Sequence, residues 1–198
     1  MKQKLTKKPS FLFIVSGPSG SGKTTLAGRV IKSQELKNRV TKSISLTTRP
    51  RRSGEQDKRD YFFVSPEKFK KLLKAKKILE WTRYLGYYYA TPKDFVEGQL
   101  KKGKHLLLCL DLKGARRIRR LYPRNTVTIF VTPSSLNVLQ DRIKKRSDKT
   151  TQEEIRKRMR LAQNELLVAD TYDYCLLNED LKQGIRDLKS IILSKIKA

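Results

Sequence analysis

Residues 17–24 of this 198-residue chain read Gly17-Pro18-Ser19-Gly20-Ser21-Gly22-Lys23-Thr24 and match G-x-x-x-x-G-K-[ST] in full. Glycines at that spacing let backbone N–H groups turn inward around phosphate oxygens. The lysine of the pattern reaches the β- and γ-phosphates of a nucleoside triphosphate, and the hydroxyl after it ligates Mg²⁺. Lys23 and Thr24 hold those two positions, and Thr25 follows directly. Gly17 through Thr25 is therefore the expected ATP-binding segment, with Thr24 as the expected metal ligand beside phosphates and water.

Such a loop needs a strand to deliver it and a helix to leave it. The apolar run Phe11-Leu12-Phe13-Ile14-Val15 reads as a buried strand, and Thr25-Leu26-Ala27-Gly28-Arg29-Val30-Ile31 reads as a helix. The helix N-terminus adds partial positive charge at the loop. This context separates the motif from a Gly/Ser-rich turn that matches by chance. Further strand-like runs lie at 104–110, 126–131 and 173–177, with helical patterns at 22–33, 112–121, 134–146 and 179–196. The alternation predicts an α/β fold, a parallel sheet with helices on both faces. Ligands then gather at the C-terminal ends of the strands.

Two stretches break the alternation. Val40 to Thr48 alternates with period two, a helix is expected over 65–77, and 78–91 is strand-like, so 41–92 reads as a small α+β insertion. Residues 134–169 read as two helices joined by the polar hinge Arg146-Ser147-Asp148-Lys149-Thr150, with Thr151 and Glu154 forming a capping-box start. Helices inserted over a phosphate loop predict a lid. The expected organisation is a core of 1–40, 93–133 and 170–198, a small α+β insertion at 41–92 and a lid at 134–169.

Lys plus Arg number 46 against 19 Asp plus Glu, a formal charge of +27, which predicts attraction to polyanions. The excess is spread along the chain with no aromatic-interleaved basic block, so solvated helix faces are favoured over a specific nucleic-acid surface. Cys109 and Cys175 are the only cysteines and His105 the only histidine. A disulfide framework, a zinc site and a His-based triad lose support, and a reducing, cytoplasmic setting is expected. His105 is expected at a strand edge without a catalytic role. No apolar run approaches the ~18 residues of a membrane span, and Phe11 to Val15 is too short for a signal sequence.

Several further segments, in order, resemble the guanylate kinases, which move a phosphoryl group from ATP to GMP. They are Ser45-Leu46-Thr47-Thr48-Arg49-Pro50-Arg51-Arg52-Ser53-Gly54-Glu55, Asp60-Tyr61-Phe62-Phe63-Val64, Glu80-Trp81, Tyr88-Tyr89-Ala90-Thr91 and Leu110-Asp111-Leu112-Lys113-Gly114-Ala115. The resemblance runs from about Phe11 to Leu193. It implies ATP and GMP, with dGMP, as substrates and Mg²⁺ as cofactor.

The resemblance makes 41–92 the expected GMP-binding region and implies site residues. Guanine offers two adjacent donors, N1–H and the 2-amino group, beside the O6 acceptor. Glu80 would accept both donors, with Asp111 near the same edge, while the Ser45 and Thr91 hydroxyls would donate to O6. Adenine inverts this pattern, and sites built on such bonds discriminate by ~10⁴ or more. Arg49, Arg52, Tyr61 and Tyr89 would hold the GMP phosphate, for which arginine's planar fork is suited. Lys23 with Arg49, Arg142, Arg146 and Arg158 would neutralise charge on the moving phosphoryl. The sequence departs from the family at Cys109, where an acid is usual, and at Lys113, where Gln is frequent; both touch the placement of the metal. Two other readings stay open at this point: a non-catalytic guanylate-kinase-like binding module and a basic phosphate-loop protein that binds nucleic acid.

Overall fold

In a computed structural model of the protein, residues 9–145 and 151–197 are described. The strands are β1 (Leu12–Ser16), β2 (Val40–Lys42), β3 (Leu46–Thr47), β4 (Phe62–Phe63), β5 (Ile78–Tyr84), β6 (Tyr87–Pro92), β7 (His105–Cys109), β8 (Thr126–Thr132) and β9 (Tyr174–Leu177). The helices are α1 (Lys23–Val30), α2 (Pro66–Lys74), α3 (Lys93–Lys101), α4 (Leu112–Leu121), α5 (Leu136–Lys144), α6 (Gln152–Leu166) and α7 (Leu181–Lys197).

The main sheet has the order β2-β7-β1-β8-β9, and all of its pairings are parallel. β1 lies at its centre and is buried at every position. Its pleat sends alternate side chains to opposite faces. Phe13 and Val15 pack with Leu26 and Val30 of α1 and Leu188 and Ile192 of α7. Leu12 and Ile14 pack with Val96 of α3 and Ile118 of α4. That double-sided burial explains why β1 reads as an unbroken apolar run rather than an alternating one. The α/β architecture expected from the sequence is the one observed. Among the described residues no helix is long and apolar enough to cross a membrane.

A second sheet, β4-β3-β6-β5, has its own small core of Leu46, Phe69 and Ala90. The single strand expected over 40–48 is thus two strands in two sheets. The Ser43 N–H still bonds to the Leu107 carbonyl of the main sheet, while the Ser45 carbonyl already accepts from Phe62 of the second. Period-two alternation marks extended backbone but carries no record of which sheet each half joins. The helix expected over 22–33 is also shorter, because after Val30 the chain tightens into i→i−3 turns such as Lys32 N–H to the Arg29 carbonyl. Helix α3 was not expected: only Val96 of its nine residues is buried, so its apolar stripe is too thin to read.

The lid segment forms two helices as expected, with Leu139, Ile143, Ile155 and Ala162 packed between α5 and α6. The hinge at 146–150 lies outside the described residues. Only half of the expected capping box exists. Thr151 Oγ1 accepts the Glu154 N–H at 3.2 Å, but the Glu154 carboxylate turns to Arg158 instead of back to the cap.

Candidate active site

The phosphate loop is fixed by close approach of other backbone. Gly17 has φ +141°, and a Cβ there would lie 2.2 Å from the Val131 carbonyl oxygen. Gly22 has φ +89°, and a Cβ would lie 2.2 Å from Asn178 Nδ2. That Asn178 amide donates to the Ser21 carbonyl at 2.7 Å, tying the loop to the end of β9. Gly22→Ala therefore meets both a clash and left-handed strain of about 1–3 kcal/mol. We expect it to lower the melting temperature by several degrees in scanning calorimetry, at about 2–4 °C per kcal/mol. An unchanged midpoint would contradict this packing.

Lys23 Nζ folds back over the loop and donates to the carbonyls of Gly17 (2.8 Å) and Pro18 (3.1 Å). It faces a cavity of about 660 Å³ at the C-terminal strand ends. The loop supplies one wall with Gly17, Ser19, Lys23 and Thr24. The second sheet and its loops supply another with Ser45, Arg49, Arg52, Tyr61, Glu80 and Tyr89. Lys157 and Arg158 of α6 close a third side, and Asp111 lies just past the end of β7.

Glu80 is only 6% exposed. The register of β5 shifts between Ile78 and Glu80, which sets Glu80 opposite Thr91 on β6. Thr91 Oγ1 donates to Glu80 Oε1. Gly114 makes room behind it, because a Cβ there would stand 2.7 Å from Glu80 Oε2 and 3.3 Å from Asp111 Oδ1. Burial pushes Glu80 up to about 7; the Thr91 hydroxyl opposes the shift and the Asp111 charge adds to it. Asp111 Oδ1 accepts the Gly114 N–H at 2.8 Å and so caps α4.

Arg49 is buried and held flat. Its guanidinium grips Glu55 with 2.8 and 2.9 Å bonds, donates to the Pro50 carbonyl at 2.6 Å, and lies 5.5 Å from the Tyr61 ring centre. Tyr61 and Tyr89 meet edge to face at 6.0 Å. Arg158 donates to Ser19 Oγ at 3.2 Å and pairs with Glu154, so the lid touches the loop directly. Tyr84 of the second sheet also engages the Ser19 hydroxyl.

Most of the residues singled out in the sequence thus meet around one cavity. Two do not stand where expected. Thr91 is fully buried behind Glu80, and its hydroxyl is spent on that carboxylate rather than turned toward the cavity. Arg142 donates to the Asn178 carbonyl at 3.3 Å from both terminal nitrogens and is absent from the cavity wall. Arg146 lies outside the described residues. Within the loop, Pro18, Gly20, Ser21, Gly22 and Thr25 shape the backbone without lining the cavity. Cys109 does line it, with Sγ 4.0 Å from the Lys23 carbonyl, while His105 accepts from the Phe11 N–H at the far end of β7.

Four residues were missed. Glu55 was legible as a lone acid in an arginine-rich stretch. Asn178 directly follows an apolar strand, the position where such sheets place ligand-facing groups. Glu165 sits about two turns after Arg158 on α6, hence on the same face. Tyr84 had no signal beyond belonging to a tyrosine-rich hairpin.

A family model described as guanylate kinase matches residues 10–195. A guanylate kinase from Caldanaerobacter subterraneus is 39% identical over 96% of this chain and 89% of its own length. One from Rickettsia prowazekii is 38% identical over 96% of this chain and 93% of its own. The crystal structure of guanylate kinase from Anaplasma phagocytophilum superposes with a TM-score of 0.78 at 27% identity, covering 96% of this chain and 87% of that one.

Proposed function

This chain belongs to the guanylate kinase family as an ATP:GMP phosphotransferase, and we propose that the cavity between loop, second sheet and lid holds both nucleotides during transfer. The observation that carries the assignment of roles is Glu80: a buried carboxylate, braced by Thr91, facing the same cavity as Lys23.

In this reading Glu80 accepts the N1–H and 2-amino hydrogens of guanine, and Ser45 donates to O6. Thr91 positions Glu80, and Asp111 stands at the same edge. Arg49, Arg52, Tyr61 and Tyr89 hold the GMP phosphate, with Glu55 keeping the Arg49 fork in plane. Gly17 to Thr25 cradle the ATP phosphates. Lys23 and Arg158 neutralise the moving phosphoryl, joined by Arg142 and Arg146 when the lid closes fully. Positioning and charge are most of what phosphoryl transfer asks of a protein. Residues 41–92 and 134–169 act as arms on the core and both reach Ser19, through Tyr84 and Arg158.

The donor set fits Mg²⁺. Among the described residues no three His, Cys, Asp or Glu side chains form a metal cage. Mg²⁺ keeps several waters and binds one or two carboxylates plus substrate phosphates, and the Thr24 hydroxyl and Asp111 carboxylate offer it hard oxygen donors in the cavity. Thr24 would hold it with the phosphates and water, and the ion would supply charge neutralisation at the β- and γ-oxygens.

Titrating the protein with GMP and with AMP by calorimetry tests the guanine assignment. Glu80 must be ionised to accept two donors, and its pKa is about 7. About a tenth is ionised at pH 6 and about nine-tenths at pH 8. GMP affinity is therefore expected to rise about 10-fold from pH 6 to pH 8 relative to AMP, which carries the same phosphate. Equal affinities for GMP and AMP, or no difference in their pH dependence, would overturn the role of Glu80.

A further inference from the structure

Five acids line the cavity: Glu80, Asp111, Glu153, Glu154 and Glu165. Four have work in the free protein. Glu80 is bonded to Thr91, Asp111 caps α4, and Glu153 and Glu154 pair with Lys157 and Arg158 of their own helix. Glu165, on the last turn of α6, has no hydrogen-bond or ion-pair partner among the described residues. Its neighbours act through burial, through attraction to Lys23 and through repulsion from Asp111. A half-buried carboxylate without a partner is costly.

Lys23 does not discharge that cost once a nucleotide is present. Its ammonium bonds to loop carbonyls in the free protein and is directed to phosphates when ATP binds. Glu165 would then share the cavity with phosphate oxygens and Asp111. A proton on Glu165 or a cation among these oxygens relieves the repulsion, and a nucleoside triphosphate arrives with the cation. The third wall at that place is Cys109, whose thiol is a poor ligand for a hard ion. Thr24, Asp111 and Glu165 supply oxygen donors to the same cavity.

We propose that Glu165 positions the divalent cation of the ATP site, where it would accept hydrogen bonds from waters the cation carries. This rests on the reading of Thr24 as the magnesium ligand. Glu165 acts through water and is a positioning residue. Because it lies on α6, about two turns from the Arg158 contact with Ser19, Glu165 would also link that helix to the bound nucleotide.

The test measures metal binding directly. Mn²⁺ affinity for the complex of protein with a non-hydrolysable ATP analogue is read by electron paramagnetic resonance, for wild type and Glu165→Gln. The analogue's metal-free affinity is read by calorimetry. The variant is expected to bind Mn²⁺ about 10-fold more weakly, the usual loss for an outer-shell partner. Its metal-free affinity for the analogue should be equal or higher, since a negative charge has left the phosphate site. Unchanged Mn²⁺ affinity would overturn the proposal. So would a parallel loss of metal-free affinity, which would assign Glu165 to loop structure instead. If wild type binds Mn²⁺ no more tightly than the free analogue does, the reading of Thr24 fails first and Glu165 with it.

Discussion

Glu80→Gln lowers kcat/KM for GMP about 10³-fold at pH 8, within the penalty for unpairing a buried recognition group. A carboxamide keeps one acceptor oxygen, which Thr91 already occupies, and turns its NH₂ toward the two guanine donors. Donors then face donors in a desolvated site. AMP gains little, because Ser45 still presents a hydroxyl suited to O6. The fold should not suffer. Burial raises the Glu80 pKa to about 7 from an ordinary 4.5, so the folded state holds this proton more tightly than the unfolded one. Its contribution to stability is therefore greatest at acid pH and falls as pH rises from about 4.5 through about 7. Glutamine carries no such term, so the variant should melt at or above the wild-type temperature at pH 8. Coupled ADP assays and calorimetry check both halves. Retained GMP turnover, or a collapse in melting temperature, would contradict this account of the site.

Lys23→Met lowers kcat about 10³-fold and leaves GMP affinity within about twofold, the pattern of a lost charge at the transferring group. Methionine keeps much of the side-chain length and removes the ammonium that bonds to Gly17 and Pro18. Gly17 and Pro18 are buried, so the two carbonyls that lose this donor are expected to cost some melting temperature but not the fold. The proposed GMP site, around Glu80 and Arg49, lies on a different wall of the cavity from Lys23. Rapid-quench turnover with a GMP titration separates the two effects. Turnover within about threefold of wild type would show that the loop holds phosphate without assisting transfer.

The loop and the central sheet were legible because their signals are local. The glycine spacing, the apolar run of β1 and the start of α1 follow one another in the chain. The acceptor wall was legible only through resemblance, since no periodicity marks Glu80 or Arg49 as more than a strand-end acid and a basic turn. What escaped was mostly pairwise and long-range. Thr91 looked like a base-reading hydroxyl until the β5–β6 register placed it against Glu80. Arg142 has the residue type of a catalytic cation, yet packing of α5 aims it at the Asn178 carbonyl. Glu165 carries no motif. Only the fold of the chain brings this α6 residue to the cavity that Lys23 and Asp111 also line.

The most direct measurement of the central claim is kcat/KM for GMP, AMP, CMP and UMP with ATP and Mg²⁺ at pH 8, read as ADP formed. The carboxylate–hydroxyl wall predicts GMP turnover exceeding each of the others by about 10⁴-fold. Turnover of AMP comparable to that of GMP would contradict it, because adenine leaves Glu80 and Ser45 facing the wrong partners.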